Sequence, residues 1–500
     1  LLDDVLKDFK DPLPISIIRK LNFFSLPEAL EKIHFPKTID EAEEARRRLA
    51  FDEFYDLQMQ LISRKISRFN EKKGNAFKPS KKLIPALYDL LTFSLTSSQE
   101  KAISDIFEDM YKPFAMHRLV QGDVGSGKTL VGLCAMLTVV EQGYQAALMA
   151  PTEILAEQHF LTLSSFTRAL GLEIVLLKGK LRASERREVV ESIASGKAQI
   201  VIGTHALIQG EIKFQRLGMV VVDEQHRFGV TQRSALYEKG INPDMLVMTA
   251  TPIPRSLALT LYGDLDVSVI DELPPGRLPI RTVRRKPDRR AAIFDFLADQ
   301  IRQGRQVYIV YPLVEESEKL GFKSAVEAYE ELVAGVFSEF VLGLLHGRLA
   351  AEEKVLIMED FKANRIQCLV CTTVIEVGVD VPNATVMVIE HAERFGLAQL
   401  QQLRGRVGRG DKESYCILIS ENKIQDEFSK SEDRLDALVE SQDGFILADR
   451  DLQLRGPGEF FGTRQAGMPN FKMADIIQDA DLLEIARREV QSSISSEKTK

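Results

Sequence analysis

Cysteine is scarce: four in 500 residues exclude a disulfide-stapled scaffold. Only Cys368 and Cys371 form a C-x-x-C pair, and it sits in the apolar run 366–370. Strand geometry sends residues three apart to opposite faces of a sheet. With no second Cys or Cys/His pair at ligand spacing, the expectation is buried thiols in a reducing cytosol rather than zinc. Long apolar runs are missing too. None approaches the ~20 residues of a membrane span, and the longest, 130–140, reads as a buried helix. No signal peptide is visible. The chain opens with Leu1 rather than Met, which predicts a piece of a longer protein or a processed one. Neither charge sign dominates: 65 basic and 73 acidic residues give a net charge of −8. That excludes a histone-like basic binder, while a local cationic groove for nucleic acid stays open. There is no low-complexity tract or short-period repeat.

What is present is enough chain for roughly two to four domains. Residues 1–82 read as helical, with a long amphipathic helix over 38–67 that Thr38 or Asp40 could cap. The Lys-rich stretch 68–80 reads as a connector. From residue 93 short apolar strands alternate with amphipathic helices: 118–121, 146–150, 174–177, 199–202, 219–222 and 246–248. After the Pro-rich break at 273–279 and the basic stretch 281–290, the pattern restarts at 306–310, 341–345, 367–371, 386–389 and 415–419. Nearly all-apolar strands suit parallel sheets covered on both faces. The expected division is 1–82, 83–275, 276–430 and 431–500, with two α/β domains at the centre.

The sharpest motif is Gly122-Asp123-Val124-Gly125-Ser126-Gly127-Lys128-Thr129, which fits G-x-x-x-x-G-K-[ST] between a strand and an apolar helix. Glycines let backbone N–H groups wrap phosphates, and the helix N-terminus adds positive potential. Lys128 would reach the β- and γ-phosphates of ATP, and Thr129 would hold Mg²⁺. Downstream, an apolar strand ends in Asp223-Glu224-Gln225-His226. Asp223 would complete the magnesium shell and Glu224 would polarise the attacking water. The segment Gln402-Leu403-Arg404-Gly405-Arg406-Val407-Gly408-Arg409 sets Arg406 and Arg409 three apart, on one face if helical. Such cations could stabilise charge on a transferring γ-phosphoryl group; a solvated basic helix is the bland alternative.

In order, these segments resemble helicase superfamily two, ATP-driven nucleic-acid translocases with two RecA-like domains. Phe93, Leu95, Thr96 and Gln99 look like its adenine-side Q motif. Pro151-Thr152-Glu153 and Gly203-Thr204-His205 look like DNA-contacting motifs. Thr249-Ala250-Thr251-Pro252 resembles motif III, Thr372-Thr373 and Gly378-Val379-Asp380 resemble motif V, and 402–409 resembles motif VI. QGDVGSGKT, PTEILAEQH, DEQHRFGVTQR, TATPIPRSLALT, DELPPGRLPIRT and DLQLRGPGEFFGTRQAG are similar to the RecG family of bacterial branch-migrating helicases. So are IHFP and ARRRLAF near the start.

The resemblance implies a P-loop NTPase of two RecA-like parallel-sheet domains, preceded by a helical segment and followed by a helical-hairpin and loop coupling element. It implies Lys128, Glu224, Arg406 and Arg409 as catalytic residues, and Phe93, Gln99, residues 122–129, Gly378 and Asp380 at the nucleotide. Thr129 and Asp223 would hold Mg²⁺. Pro151, Thr152, Thr204, His226, Thr372, Gln402, Arg455, Arg464 and Gln465 would contact DNA or couple to it. The implied setting is a monomer in the bacterial cytoplasm, associated with the nucleoid and not with membrane. It would act on forks and junctions, with single-stranded-DNA-binding protein a further candidate partner. Family members carry an N-terminal wedge domain that the residues before the motor are too few to encode. The chain is therefore expected to keep the motor but handle branched DNA poorly. A transcription-repair coupling motor is the nearest alternative. A DEAD-box RNA helicase would read Ala-Asp at 225–226, and a decayed ATPase would lack the catalytic set. His346 fits a DNA-side motif or a strand-end turn equally. The stretch 281–290 is a nucleic-acid flank or a solvated run, and Tyr111 and Tyr144 read as core rather than base-stacking residues.

Overall fold

The computed structural model describes residues 10–69, 76–179, 181–224, 236–254, 257–258, 260, 263, 265–274, 277–312, 318–373, 381–421, 426–460 and 471–497. The chain divides into two compact units, one of residues 1–71, 253–266 and 455–500, the other of 72–252 and 267–454.

The first unit is built on the 31-residue helix Ile39–Phe69, which packs against Leu26–His34 and Ala480–Glu497. Of the two expected caps, Thr38 takes the role: its Oγ1 accepts the Glu41 N–H at 3.1 Å, and Asp40 lies in the first turn. Arg48 is fully buried on the inner face of this helix, paired with Asp11 at 2.7 Å and with Asp52, while its Nε donates to the Phe24 carbonyl. A buried charge needs such partners, because an unpaired one costs several kcal/mol. Arg46 grips both oxygens of Asp479 at 2.6 and 2.8 Å, and the Glu53 carboxylate accepts the N–H groups of Lys472, Met473 and Ala474.

The second unit holds two sheets. The first contains β1 (His117–Gly122), β2 (Gln145–Met149), β3 (Ile174–Leu177), β4 (Ile200–Gly203), β5 (Leu217–Asp223), β6 (Asp244–Thr249) and β7 (Asp266–Ile270), in the order β3-β4-β2-β5-β6-β1-β7. The second contains β8 (Ile280–Arg285), β9 (Gln306–Val310), β10 (Leu342–Leu345), β11 (Cys368–Cys371), β12 (Ala384–Ile389) and β13 (Ser414–Ile419), in the order β10-β11-β9-β12-β13-β8. The pairings β1–β6, β2–β4, β2–β5, β3–β4 and β5–β6, and every pairing of the second sheet, are parallel. Helix Lys128–Val140 is buried from Val131 to Val140 under the first sheet, as its apolar run predicts. Each fully buried aliphatic side chain there contributes about 1.5–3 kcal/mol. Cys368 and Cys371 face different core clusters on the two sides of β11, all four cysteines are free and buried, and burial raises each thiol pKa.

Two edge strands, β7 and β8, were not expected. The stretch read as a basic run, 281–290, begins as β8, and Arg281, Arg284 and Arg290 of its six basic residues form ion pairs. Arg284 meets Glu432 at 2.9 Å and Arg290 meets the buried Glu390 at 2.8 Å. The core assignment of Tyr111 is corrected: it ends helix Ser97–Tyr111 and is 58% exposed, because it falls outside the buried face Ala102, Ile103, Ile106 and Met110. Tyr144 does pack, edge-on to Phe77 and beneath Arg216.

Candidate active site

The phosphate loop owes its shape to Gly127, whose φ of +84° lies in the left-handed region. A Cβ there would stand 2.3 Å from Gln99 Nε2. Gln99 is buried and serves twice: Oε1 accepts the Thr96 N–H at 2.9 Å, and Nε2 donates to the Ser126 carbonyl at 2.8 Å. The capping box of helix Ser97–Tyr111 thereby also clamps the loop. Phe93 stands on the surface.

Lys128 opens the helix after the loop, and its ammonium donates to the carbonyls of Gly122 at 2.7 Å and Asp123 at 2.8 Å. Burial lowers its pKa, against the opposing pull of Glu224, Asp223 and Asp123. Asp223 closes β5. Burial pushes its carboxyl up, but a 2.8 Å hydrogen bond from His159 Nε2 and the charges of His159 and Lys128 outweigh that and hold it low. Glu224 has φ +52°, an unusual backbone for a side-chain-bearing residue. Its N–H donates to the Met248 carbonyl and its Oε1 accepts the Ala250 N–H at 3.1 Å, tying it to the segment after β6.

A cavity of about 390 Å³ collects these groups. Gly125, Lys128, Thr129, His159, Asp223 and Glu224 line it from the first lobe, and Lys354, Gln402, Arg406 and Arg409 from the second. The condition under which Arg406 and Arg409 would share one helical face is not met. Helix Leu397–Arg404 ends before them, and residues 405–409 turn through Gly405 and Gly408, the latter at φ +73°. Both arginines still reach the cavity, Arg409 with its Nε on the Gly405 carbonyl at 3.1 Å.

Three residues at this site, His159, Gln401 and Arg277, have no role assigned in the sequence, and Arg404 is named there only as part of the motif VI segment. His159 is legible in hindsight as the buried i+3 position after Ala156 on helix Glu153–Ala169. Gln401 donates to Asp123 Oδ2 at 2.6 Å, Arg404 donates to Gln401, and Arg277 spans the Val124 carbonyl at 2.7 Å and the Gly408 carbonyl at 3.1 Å. Arg277 lies in a Pro-rich hinge with no periodicity to mark it.

The expected nucleic-acid residues Pro151, Thr152, Thr204 and Thr372 follow the carboxyl ends of β2, β4 and β11, the rim where parallel α/β sheets bind ligands. Thr152 caps helix Glu153–Ala169, Thr204 is half-buried before a short 3₁₀ turn, and Thr372 is fully buried. His346 follows β10 and is buried, its pKa lowered by that burial and by Lys354 and Arg348. Arg455 is half-buried on helix Gly444–Phe460. His226, Gly378, Asp380, Arg464 and Gln465 lie outside the described residues.

Two parallel sheets, with a phosphate loop, a strand-terminal Asp-Glu pair and opposing arginines around one cavity, define a two-lobed P-loop helicase motor. The DEAD/DEAH box helicase family matches residues 96–260, the helicase conserved C-terminal domain 288–411, and the ATP-dependent DNA helicase RecG domain 3 C-terminal family 441–499. The chain is 50% identical over 482 residues to the ATP-dependent DNA helicase RecG of Synechocystis, covering 96% of this chain and 58% of that protein. It is 50% identical over 487 residues to that of Streptococcus pneumoniae, covering 97% and 72%. A structure of RecG bound to a three-way DNA junction matches with a TM-score of 0.74 and 43% identity, over 97% of this chain and 63% of that one. The chain belongs to the RecG family of ATP-dependent DNA helicases. No helix among the described residues is long and apolar enough to cross a membrane.

Proposed function

We propose that this chain is the ATP- and Mg²⁺-dependent motor of a helicase that remodels forks and Holliday junctions in recombination and repair. The observation that carries the reading is the 390 Å³ cavity, where phosphate-binding, acidic and arginine groups from both lobes converge. The RecG-type C-terminal match at 441–499 favours this over a transcription-repair coupling motor.

In this reading Lys128 exchanges the carbonyls of Gly122 and Asp123 for β- and γ-phosphate oxygens. Thr129 and Asp223 supply a hydroxyl and an ionised carboxylate, hard oxygen donors suited to Mg²⁺, which when bound would neutralise phosphate charge. Glu224 orients the attacking water. Arg406 and Arg409 stabilise the γ-phosphoryl charge from the second lobe, so turnover requires both lobes at the nucleotide. DNA follows the rim marked by Thr152 and Thr204, held mainly through its phosphates, with affinity falling steeply as salt rises. Arg455, Arg464 and Gln465 couple turnover to duplex movement. The setting is the bacterial cytoplasm at the nucleoid, as a monomer, with single-stranded-DNA-binding protein a partner of the whole protein.

ATPase measured with and without forked DNA tests this directly. DNA should raise turnover, and Lys128→Ala should abolish it while circular dichroism stays unchanged. ATPase retained in Lys128→Ala, or a wild type indifferent to forked DNA, sinks the reading.

A further inference from the structure

Asp123 occupies a variable position of the phosphate loop, yet its contacts extend well beyond that loop. Its Oδ1 accepts the Val124 N–H at 2.7 Å, its main-chain carbonyl accepts the Lys128 ammonium at 2.8 Å, and its Oδ2 accepts Gln401 Nε2 at 2.6 Å. The last bond crosses to the second lobe. A carboxylate can only accept, so the Gln401 amide must present its nitrogen to Asp123 and its oxygen to the guanidinium of Arg404. Arg404 is 2% exposed and donates its other Nη to the carbonyls of Leu438 at 2.7 Å and Ser441 at 2.8 Å. Among the described residues no carboxylate lies within ion-pair distance of it. The charge of Asp123, reached through the Gln401 amide, acts on this buried cation.

Steric fit adds to the hydrogen bonds. A Cβ at Gly405 would lie 2.8 Å from Val124 Cβ, and one at Gly444 would lie 2.9 Å from Asp123 Oδ2. The backbones at 405 and 444 therefore rest directly on the phosphate loop. Beside this seam a cavity of about 110 Å³, lined by Asp123, Arg277, Gln401, Arg404 and Gln442, leaves room for side chains to shift.

We infer that Asp123, Gln401 and Arg404 form a relay carrying the conformation of the phosphate loop to the turn at 438–444, separately from Arg406 and Arg409. When Lys128 leaves the Asp123 carbonyl for a phosphate, the constraint on Asp123 changes, and Gln401 passes that change to the carbonyls Arg404 holds. The turn leads into helix Gly444–Phe460, so nucleotide occupancy would be reported to the chain's C-terminal segment without a DNA contact. Gln401 and Arg404 are positioning residues here. The inference rests on residues 122–129 being a nucleotide site.

Hydrogen–deuterium exchange of this chain, with and without a non-hydrolysable ATP analogue, tests both layers. In the wild type, exchange at 122–129 and at 438–446 should both respond to the analogue. In Gln401→Met, which keeps volume but neither hydrogen bond, the 122–129 response should persist and the 438–446 response should shrink at least ~5-fold. Asp123→Asn keeps an acceptor and should keep the coupled response. A 438–446 response unchanged in Gln401→Met, or absent in the wild type while 122–129 responds, overturns the relay. No response at 122–129 in the wild type overturns the nucleotide site itself, and the relay with it.

Discussion

His159 Nε2 stands 2.8 Å from Asp223 Oδ2, so an imidazole on helix Glu153–Ala169 orients the carboxylate that closes β5. If Asp223 holds magnesium, His159 fixes which of its oxygens faces the metal. His159→Ala should raise the Mg²⁺ concentration needed for half-maximal ATPase by ~10-fold. A magnesium titration at saturating ATP reads this out, and an unchanged midpoint would remove His159 from the metal site.

Gly127→Ala should damage the phosphate loop far more than a methyl group's size suggests. The backbone sits at φ +84° and the new Cβ would collide with Gln99 Nε2. Strain of about 1–3 kcal/mol should appear as a lower melting temperature. Fluorescent-nucleotide titration should show weakened binding, and releasing the clash with Gln99→Ala should recover part of the stability.

Glu141, just past helix Lys128–Val140, caps the start of helix Leu83–Leu90. Burial alone would raise its pKa. The N–H groups of Leu83, Lys81 and Lys82 and the Ser80 hydroxyl outweigh burial and bring it from 4.5 to about 2. A depressed carboxylate stabilises the fold above its unfolded pKa, and the contribution disappears as pH falls from about 4.5 to about 2. Glu141→Gln should cost about 1 kcal/mol at neutral pH and flatten the acid limb of the stability curve. Denaturant melts from pH 7 to pH 3 measure both.

In the first unit, Arg46→Met leaves the buried Asp479 without its two-point partner. Removing one member of such a pair should cost about 3 kcal/mol. The loss should be local, with faster amide exchange along Ala480–Glu497 while the two sheets stay protected. Equal loosening everywhere would refute a local clamp.

Interior strands were legible because a parallel strand covered on both faces is a continuous apolar run. The expected strand 306–310 coincides with β9, and 219–222 falls on the centre of β5. β7 and β8 were missed because an edge strand needs only one apolar face, and IRTVRR reads as a basic run until paired with β13. The phosphate loop and the Asp223-Glu224 pair are local in sequence and were readable. The seam at Asp123, Gln401 and Arg277 joins residues 278 and 153 positions apart, and no local periodicity encodes such a match. The shared face of Arg406 and Arg409 held only if their segment were helical, and the helix ends at Arg404, before both of them.

The buried cysteines make the native protein a ready substrate for site-specific labelling. Burial pushes the thiols of Cys134 and Cys416 up to about 12 and raises Cys368 and Cys371 as well, so none offers much thiolate at neutral pH. Cys368 and Cys371 also look away from each other across β11. A cysteine introduced at an exposed position, such as Ile241 or Leu356, should therefore react with maleimide while the native four stay silent until denaturant is added. Fluorophores could then be attached to either lobe with the wild-type core intact.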